Sequence, residues 1–136
     1  MKKIALILIF SLLLSFGMSI LVSAEEYVVT PRYSNVDMCR CFFDIQNDTA
    51  NARVIVNGLT NVTSSINVKV TLEKRALLGL LWTEKASFEA SSTETSHTFN
   101  FVTEVKSGTY RCNFEITVLG NNGTSEVITE QITATN

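Results

Sequence analysis

The stretch from Gly108 to Val118 constrains the fold of this chain more than any other part of the sequence. Apolar residues and a cysteine occupy every second position in it, and polar residues occupy the positions between them. A period of two places the first set on one face of a β-strand and the second set on the other. We therefore expect a strand of an antiparallel sheet that is buried on one face only. Its inward residues are Tyr110, Cys112, Phe114, Ile116 and Val118.

Most segments after residue 24 show strand-like patterns of the same kind. Segment 66–73 alternates most clearly and places Val68 and Val70 in the core, and Trp82, which begins a weaker strand, is also expected in the core. No segment in this part of the chain has a convincing helical period, and turn signals separate the strands. The sequence thus predicts an all-β sandwich of seven or eight strands, with a small closed barrel as the alternative. The other predicted strands are 25–30, 33–45, 52–56, 97–105 and 127–134.

The N-terminus has the features of an export signal. Lys2 and Lys3 precede an almost wholly apolar segment, 4–22, and small residues lead up to Ala24. We expect a signal peptide over residues 1–24 and one secreted β-sandwich domain over residues 25–136. The alternative is an uncleaved membrane anchor, because the apolar run approaches the ~20 residues that span a bilayer.

The charge of the chain limits the classes of partner. Removing residues 1–24 changes the net charge from -2 to -4, and the charges that remain are scattered along the sequence. A mildly acidic body argues against nucleic acid and against anionic membrane surfaces as partners. We expect an extracellular protein or glycan as the partner, and no stable membrane insertion once the signal is cleaved.

The three cysteines predict a disulfide bond, because paired cysteines are usual in exported chains. Cys39 and Cys41 share one phase of their strand and can both face the core, as Cys112 does. A bridge from either one to Cys112 closes a loop of roughly 70 residues and stabilises the fold by about 4 kcal/mol. The third cysteine would stay free or join two chains as a dimer. We expect no metal site, since the spacing of these cysteines and the distant His97 do not suit zinc.

The segment from Ser107 to Cys112 resembles the G-x-Y-x-C signature of immunoglobulin domains. In that family the tyrosine forms a corner and the cysteine bridges the two sheets. The resemblance implies an immunoglobulin-like sandwich in which Tyr110 forms the corner. It also implies that the bridge joins Cys112 to Cys39 or Cys41.

Most of the chain is similar to a family of small, uncharacterised exported proteins of Gram-positive bacteria. The motifs that carry this resemblance are residues 32–36 (RYSNV), the strand from Val68 to Lys74, Trp82 and residues 106–111 (KSGTYR). The resemblance implies an extracellular β-sandwich and supplies no catalytic role. Proteins of this kind have a short polar turn between the L-x-K motif and the tryptophan.

In this chain the corresponding turn carries four leucines: Leu77, Leu78, Leu80 and Leu81. If the tip of this hairpin lies in solvent, the leucines form an exposed apolar patch of the kind that marks contact sites. The alternative is that they fold back over an open end of the sandwich and belong to the core.

No catalytic motif supports an enzyme. The sequence contains no glycine-rich phosphate loop, no H-E-x-x-H and no G-x-S-x-G. We expect no catalytic residues and no cofactor. The sequence favours a secreted, non-catalytic binding or interaction module. The alternative is a secreted effector or inhibitor, toxin-like or directed at a protease, that acts on other cells or enzymes.

Overall fold

The computed structural model describes residues 33–136. The predicted signal peptide, the predicted strand over residues 25–30 and Arg32 lie outside the described residues. All of the described residues belong to one compact unit. No helix within the described residues has the length and apolar character needed to cross a membrane.

Seven β-strands make up nearly all of the described chain. Every strand predicted from the sequence after residue 32 is present, and most are longer than predicted. A short 3₁₀ turn, Leu77–Gly79, lies between the third and the fourth strand. The strands are β1 Val36–Gln46, β2 Thr49–Gly58, β3 Thr63–Ala76, β4 Leu81–Ser92, β5 Ser96–Glu104, β6 Thr109–Gly120 and β7 Ser125–Thr135.

The strands form two antiparallel sheets. One sheet has the order β1-β2-β5, and the other has the order β4-β3-β6-β7. Because β2 is central in the first sheet and β3 and β6 are central in the second, the most apolar strands lie in the middle of both layers. Each sheet keeps two edge strands, so the described chain does not form a single closed sheet. The fold is an immunoglobulin-like antiparallel β-sandwich, as predicted.

The core lies between the two sheets and is built from the inward residues of β2, β3 and β6. On β6 the inward residues are those predicted from the period of two, and Tyr110, Phe114 and Ile116 are each no more than 2% exposed. Val68 and Val70 of β3 are equally buried, as predicted. Burying an aliphatic or aromatic side chain of this size stabilises the fold by about 1.5–3 kcal/mol.

The corner implied by the immunoglobulin resemblance is present. The Tyr110 hydroxyl donates a hydrogen bond to the Lys106 carbonyl oxygen at 2.8 Å and accepts one from the Lys106 N–H at 3.2 Å. Two polar backbone groups of the β5–β6 connection are thereby satisfied by one buried side chain. The corner fixes this connection against the start of β6.

A buried asparagine fixes the other end of the sandwich. Asn35 is 1% exposed, and its side chain bonds to the carbonyl oxygens of Val118 and Thr124 and to the Thr124 hydroxyl. Its backbone carbonyl accepts a 2.6 Å hydrogen bond from the Thr63 hydroxyl. Asn35 therefore joins the start of the described chain to the β2–β3 and β6–β7 connections.

Glu126 completes this polar cluster. Its carboxylate accepts hydrogen bonds from the backbone N–H and hydroxyl of Ser34, and from the backbone N–H of Asn35 at 2.8 Å. Partial burial alone would raise the pKa of Glu126, but these hydrogen bonds favour the charged form and hold the pKa below its usual range. The ionised carboxylate is therefore part of the folded structure.

Candidate functional site

The hairpin between β3 and β4 projects from one end of the sandwich. The pairing of β3 with β6 ends at Lys74 and Tyr110, whereas its pairing with β4 continues to Ala76 and Leu81. Two residues of β3 beyond Lys74 correspond to about 7 Å of strand, and the turn lies beyond them. We call Leu77, Leu78, Leu80 and Leu81 the leucine tip.

All four side chains of the leucine tip are exposed. Their exposed fractions are 67% for Leu77, 104% for Leu78, 81% for Leu80 and 53% for Leu81. None of them packs against the core. The alternative in which these leucines fold back over an open end of the sandwich is therefore wrong, and the hairpin places them in solvent as one continuous apolar patch.

The backbone of the tip is strained. Leu77 has φ 46°, Leu78 has φ 55° and Gly79 has φ 87°, so three successive residues lie in the left-handed region. Only the glycine adopts this conformation readily, and each leucine in it costs about 1–2 kcal/mol. The Arg75 Nε donates a hydrogen bond to the Gly79 carbonyl oxygen at 3.2 Å and holds the turn closed. The free protein gains no packing energy from these leucines in return.

We expect the substitution Leu78→Asn to raise the free energy of unfolding by about 0.5–1 kcal/mol. Asparagine tolerates the left-handed region, and the Leu78 side chain makes no core contact that would be lost. Urea unfolding followed by circular dichroism measures the change. Thr83→Asn, on the exposed part of β4, is the control and should give no gain. A loss of stability in Leu78→Asn would show that the leucine is packed.

Trp82 is not a core residue, and the prediction that placed it there is wrong. Its ring lies on the outer face of the four-stranded sheet, 4.5 Å from the guanidinium carbon of Arg111. The cause is a β-bulge: Leu72 pairs with Ala86 but Glu73 pairs with Glu84, so Lys85 is an extra residue on β4. One extra residue in a strand reverses which side chains face the core. Trp82 therefore points outward, although it lies an even number of residues from the inward-facing Ala86.

Arg111 is held in a small polar network beside Trp82. Its Nε donates to a carboxylate oxygen of Glu73, which also accepts a 2.6 Å hydrogen bond from the side-chain amide of Asn113. The bond from Arg111 is the main reason that the pKa of Glu73 lies below its usual range. This network fixes the outer face of the sheet next to the leucine tip.

A cleft lined by lysines opens at the same end of the sandwich as the leucine tip. Its volume is about 360 Å³, and Lys74, Lys85, Lys106 and Glu104 supply its charged groups. The bulge brings Lys85 to the cleft, and the Lys74 Nζ donates to the Ser107 carbonyl oxygen at 2.7 Å. None of the three lysines forms a salt bridge within residues 33–136. The apolar part of the lining comes from Leu72, Ala86, Val105 and Tyr110.

The structure holds all three cysteines as free thiols, so the predicted bridge to Cys112 is not present in it. Cys39 and Cys41 do share one phase, but they lie on β1, which is an edge strand. In the immunoglobulin pattern the bridge joins the two central strands, whereas here the central strand β2 carries Val54 and Val56 at its buried positions.

The thiols differ in their acidity. Burial raises the pKa of Cys112 to about 12. A hydrogen bond between the side chains of Cys39 and Cys41 raises the pKa of Cys41 and lowers that of Cys39. Burial adds to the effect on Cys41, so that thiol stays protonated at neutral pH. A covalent dimer through one of these cysteines stays a prediction.

Within the described residues, no three His, Cys, Asp or Glu side chains are grouped as a metal site requires. His97 lies on β5, and its Nδ1 is 2.7 Å from a carboxylate oxygen of Glu94. Its ring centre is 4.6 Å from that of Phe99. The structure thus gives the histidine a local partner at the loop before β5.

The chain matches no protein-family model, and no curated protein matches it in sequence. Among solved structures it is similar to the sporulation control protein Spo0M from Bacillus subtilis, with 11% identity and a TM-score of 0.36. That match covers 72% of this chain and 49% of the other, so the chain spans about half of Spo0M. It is also similar to the CARDB domain of the PF1109 protein from Pyrococcus furiosus, solved in complex with di-metal ions. There the identity is 19%, the TM-score is 0.37 and the coverage is 76% of this chain and 97% of the other.

Proposed function

We propose that this protein is a secreted, non-catalytic binding module whose contact surface is the leucine tip. The observation that carries the proposal is the position of four exposed leucines on a strained, projecting turn. A contiguous apolar patch on a soluble domain is a common mark of an interaction site. The patch here lies on a hairpin that the rest of the fold does not need for its packing.

The strain in the turn supports the same role. Leu77 and Leu78 are held in a conformation that costs free energy, and their side chains contribute nothing to the core. Strained, exposed residues of this kind are concentrated at binding and catalytic sites. A role in contact with a partner explains why leucine stands where asparagine or glycine would be more stable.

The test compares the binding of matched variants to bacterial cells. Residues 25–136 are suited to it, because the seven strands enclose their own core. No buried side-chain nitrogen or oxygen within residues 33–136 lacks a hydrogen-bond partner. The tip variant replaces all four leucines of the tip by serine. The control variant carries Val102→Ser and Val127→Ser, which remove exposed apolar side chains elsewhere on the domain.

We expect the labelled wild-type domain and the control variant to bind walled cells or protoplasts of a Gram-positive bacterium. The tip variant should bind at least about tenfold more weakly, because each buried leucine contributes roughly 1.5–3 kcal/mol. Thermal unfolding must show that all three proteins are folded. Equal binding by the tip variant would contradict the proposed role of the tip.

A further inference from the structure

We propose that the partner of the leucine tip is the surface of an anionic phospholipid bilayer. In this arrangement the leucines enter the boundary between head groups and acyl chains, and the lysine-lined cleft faces the phosphate groups. The inference rests on the proposed function, since it names the partner of the same contact surface.

The shape of the site fits a lipid surface. The leucine tip is convex and lies at the end of a hairpin that extends about 7 Å of strand beyond the pairing with β6. Apolar side chains of interfacial segments enter a bilayer to a depth of about 5–10 Å, which the hairpin can reach without burying the sandwich. A bilayer accepts a convex apolar projection without a preformed pocket.

The residues around the tip fit the layers of a bilayer. Trp82 lies on β4 next to Leu81, between the tip and the bulge, and its ring is partly exposed. Tryptophan is enriched at the level of lipid head groups, because its ring is apolar and its N–H is polar. The order from the end of the hairpin is thus leucines, then the tryptophan, then the lysines of the cleft.

The charge of the cleft selects anionic lipids. Lys74, Lys85 and Lys106 line it with one carboxylate, that of Glu104, so the local charge is positive although the chain as a whole is acidic. The net charge that argued against anionic membranes is an average over the whole chain. Salt screens the interaction between exposed charges beyond about 8–10 Å, so the charged groups near the contact determine the electrostatic attraction to the bilayer. Each lysine near an anionic surface adds roughly fivefold in affinity.

The experiment uses vesicles of phosphatidylcholine alone and vesicles of phosphatidylcholine mixed with phosphatidylglycerol. Trp82 is the single tryptophan of the chain and lies beside the tip, so its fluorescence reports contact at that site. We expect sedimentation with the mixed vesicles, a blue shift of Trp82 emission on binding, and weaker binding as salt is raised. Inorganic phosphate without vesicles should leave the emission unchanged.

Two variants separate the apolar and the charged contributions. The tip variant should lose roughly a hundredfold or more in affinity for mixed vesicles. The affinity of the variant with Lys85→Gln and Lys106→Gln for mixed vesicles should fall roughly tenfold or more. This variant should also lose the preference for mixed over neutral vesicles. The variant with Val102→Ser and Val127→Ser should bind as the wild type does.

The opposite results are equally clear. If neither kind of vesicle binds the protein or shifts the emission of Trp82, the lipid proposal is wrong. It is also wrong if the protein forms dimers in solution that depend on the leucine tip, because the partner of the tip is then a second copy of the chain. If the tip variant nevertheless loses its binding to cells, the proposed binding function stands and the partner is a protein or glycan. If neither vesicles nor cells distinguish the tip variant from the wild type, both proposals fail.

Discussion

Replacing Phe114 by alanine is expected to lower the free energy of unfolding by about 3–5 kcal/mol. Phe114 is 2% exposed at the centre of β6, where it pairs with Val70 of β3 on one side and with Glu130 of β7 on the other. The substitution removes a ring from the middle of the core, and both neighbouring strands are too firmly paired to fill the cavity. A domain of this size has a total stability of about 5–15 kcal/mol, so the loss is a large part of it.

Urea unfolding measured by circular dichroism gives this difference in the free energy of unfolding. The comparison requires that the dependence of this free energy on urea concentration is the same in both proteins. The matched control is Glu115→Ala on the same strand, where the side chain is exposed on the outer face. That substitution should change the stability by no more than about 0.5 kcal/mol. A small effect for Phe114→Ala with a large one for Glu115→Ala would mean that the faces of β6 are reversed.

Replacing Asn35 by alanine is expected to cost about 2–3 kcal/mol. The substitution removes the side-chain hydrogen bonds to the carbonyl oxygens of Val118 and Thr124 and to the Thr124 hydroxyl, and it leaves a cavity at a position that is 1% exposed. Each hydrogen bond of this kind contributes about 0.5–1.5 kcal/mol, so the loss of three accounts for the expected cost. The connections β2–β3 and β6–β7 would lose the side chain that joins them.

Native-state hydrogen exchange would locate the effect of this change. We expect faster exchange of the backbone N–H groups of Leu59 and Thr63, which lie next to the cluster, than in the wild type. Asn67→Ala, at an exposed position of β3, is the control and should leave both stability and exchange unchanged. An equal cost for the two substitutions would contradict the structural role of Asn35.

The strands could be predicted from the sequence because the period of two is strong wherever one face is buried. The same rule failed at the ends of strands, where polar residues enter a sheet. The predicted strands ended at residue 45 and began again at residue 52, but the turn between them consists of Asn47 and Asp48 alone, with φ 49° and 59°. Two consecutive residues with positive φ form a tight hairpin, so the polar residues from Thr49 onward already belong to β2.

Two predictions differ from the structure because bulges and strand order cannot be read from the sequence. The bulge at Lys85 reverses the outward and inward positions between it and the tip, so Trp82 was assigned to the wrong face. The predicted bridge to Cys112 took no account of strand order, because counting strands from the sequence does not show which ones lie at an edge. The topology puts Cys39 and Cys41 on β1, an edge strand of the three-stranded sheet.

The candidate site was predictable in part. Four leucines between two strand patterns identified the tip, although the sequence left open whether they were buried. The lysine-lined cleft was not predicted, because Lys74, Lys85 and Lys106 come from three separate segments that only the fold brings together. Lys74 and Lys106 lie in motifs that resemble those of exported proteins, but nothing in the sequence indicated that their positive charges act together.

The way in which the hairpin is attached has a consequence for how such proteins diversify. The register of β3 is set along its whole paired length by β6, and that pairing stops at Lys74 before the turn begins. Residues 77–80 can therefore change without any compensating change in the sandwich. Under the proposed function, a chain with a polar turn at this place would be the same scaffold without the apolar contact surface.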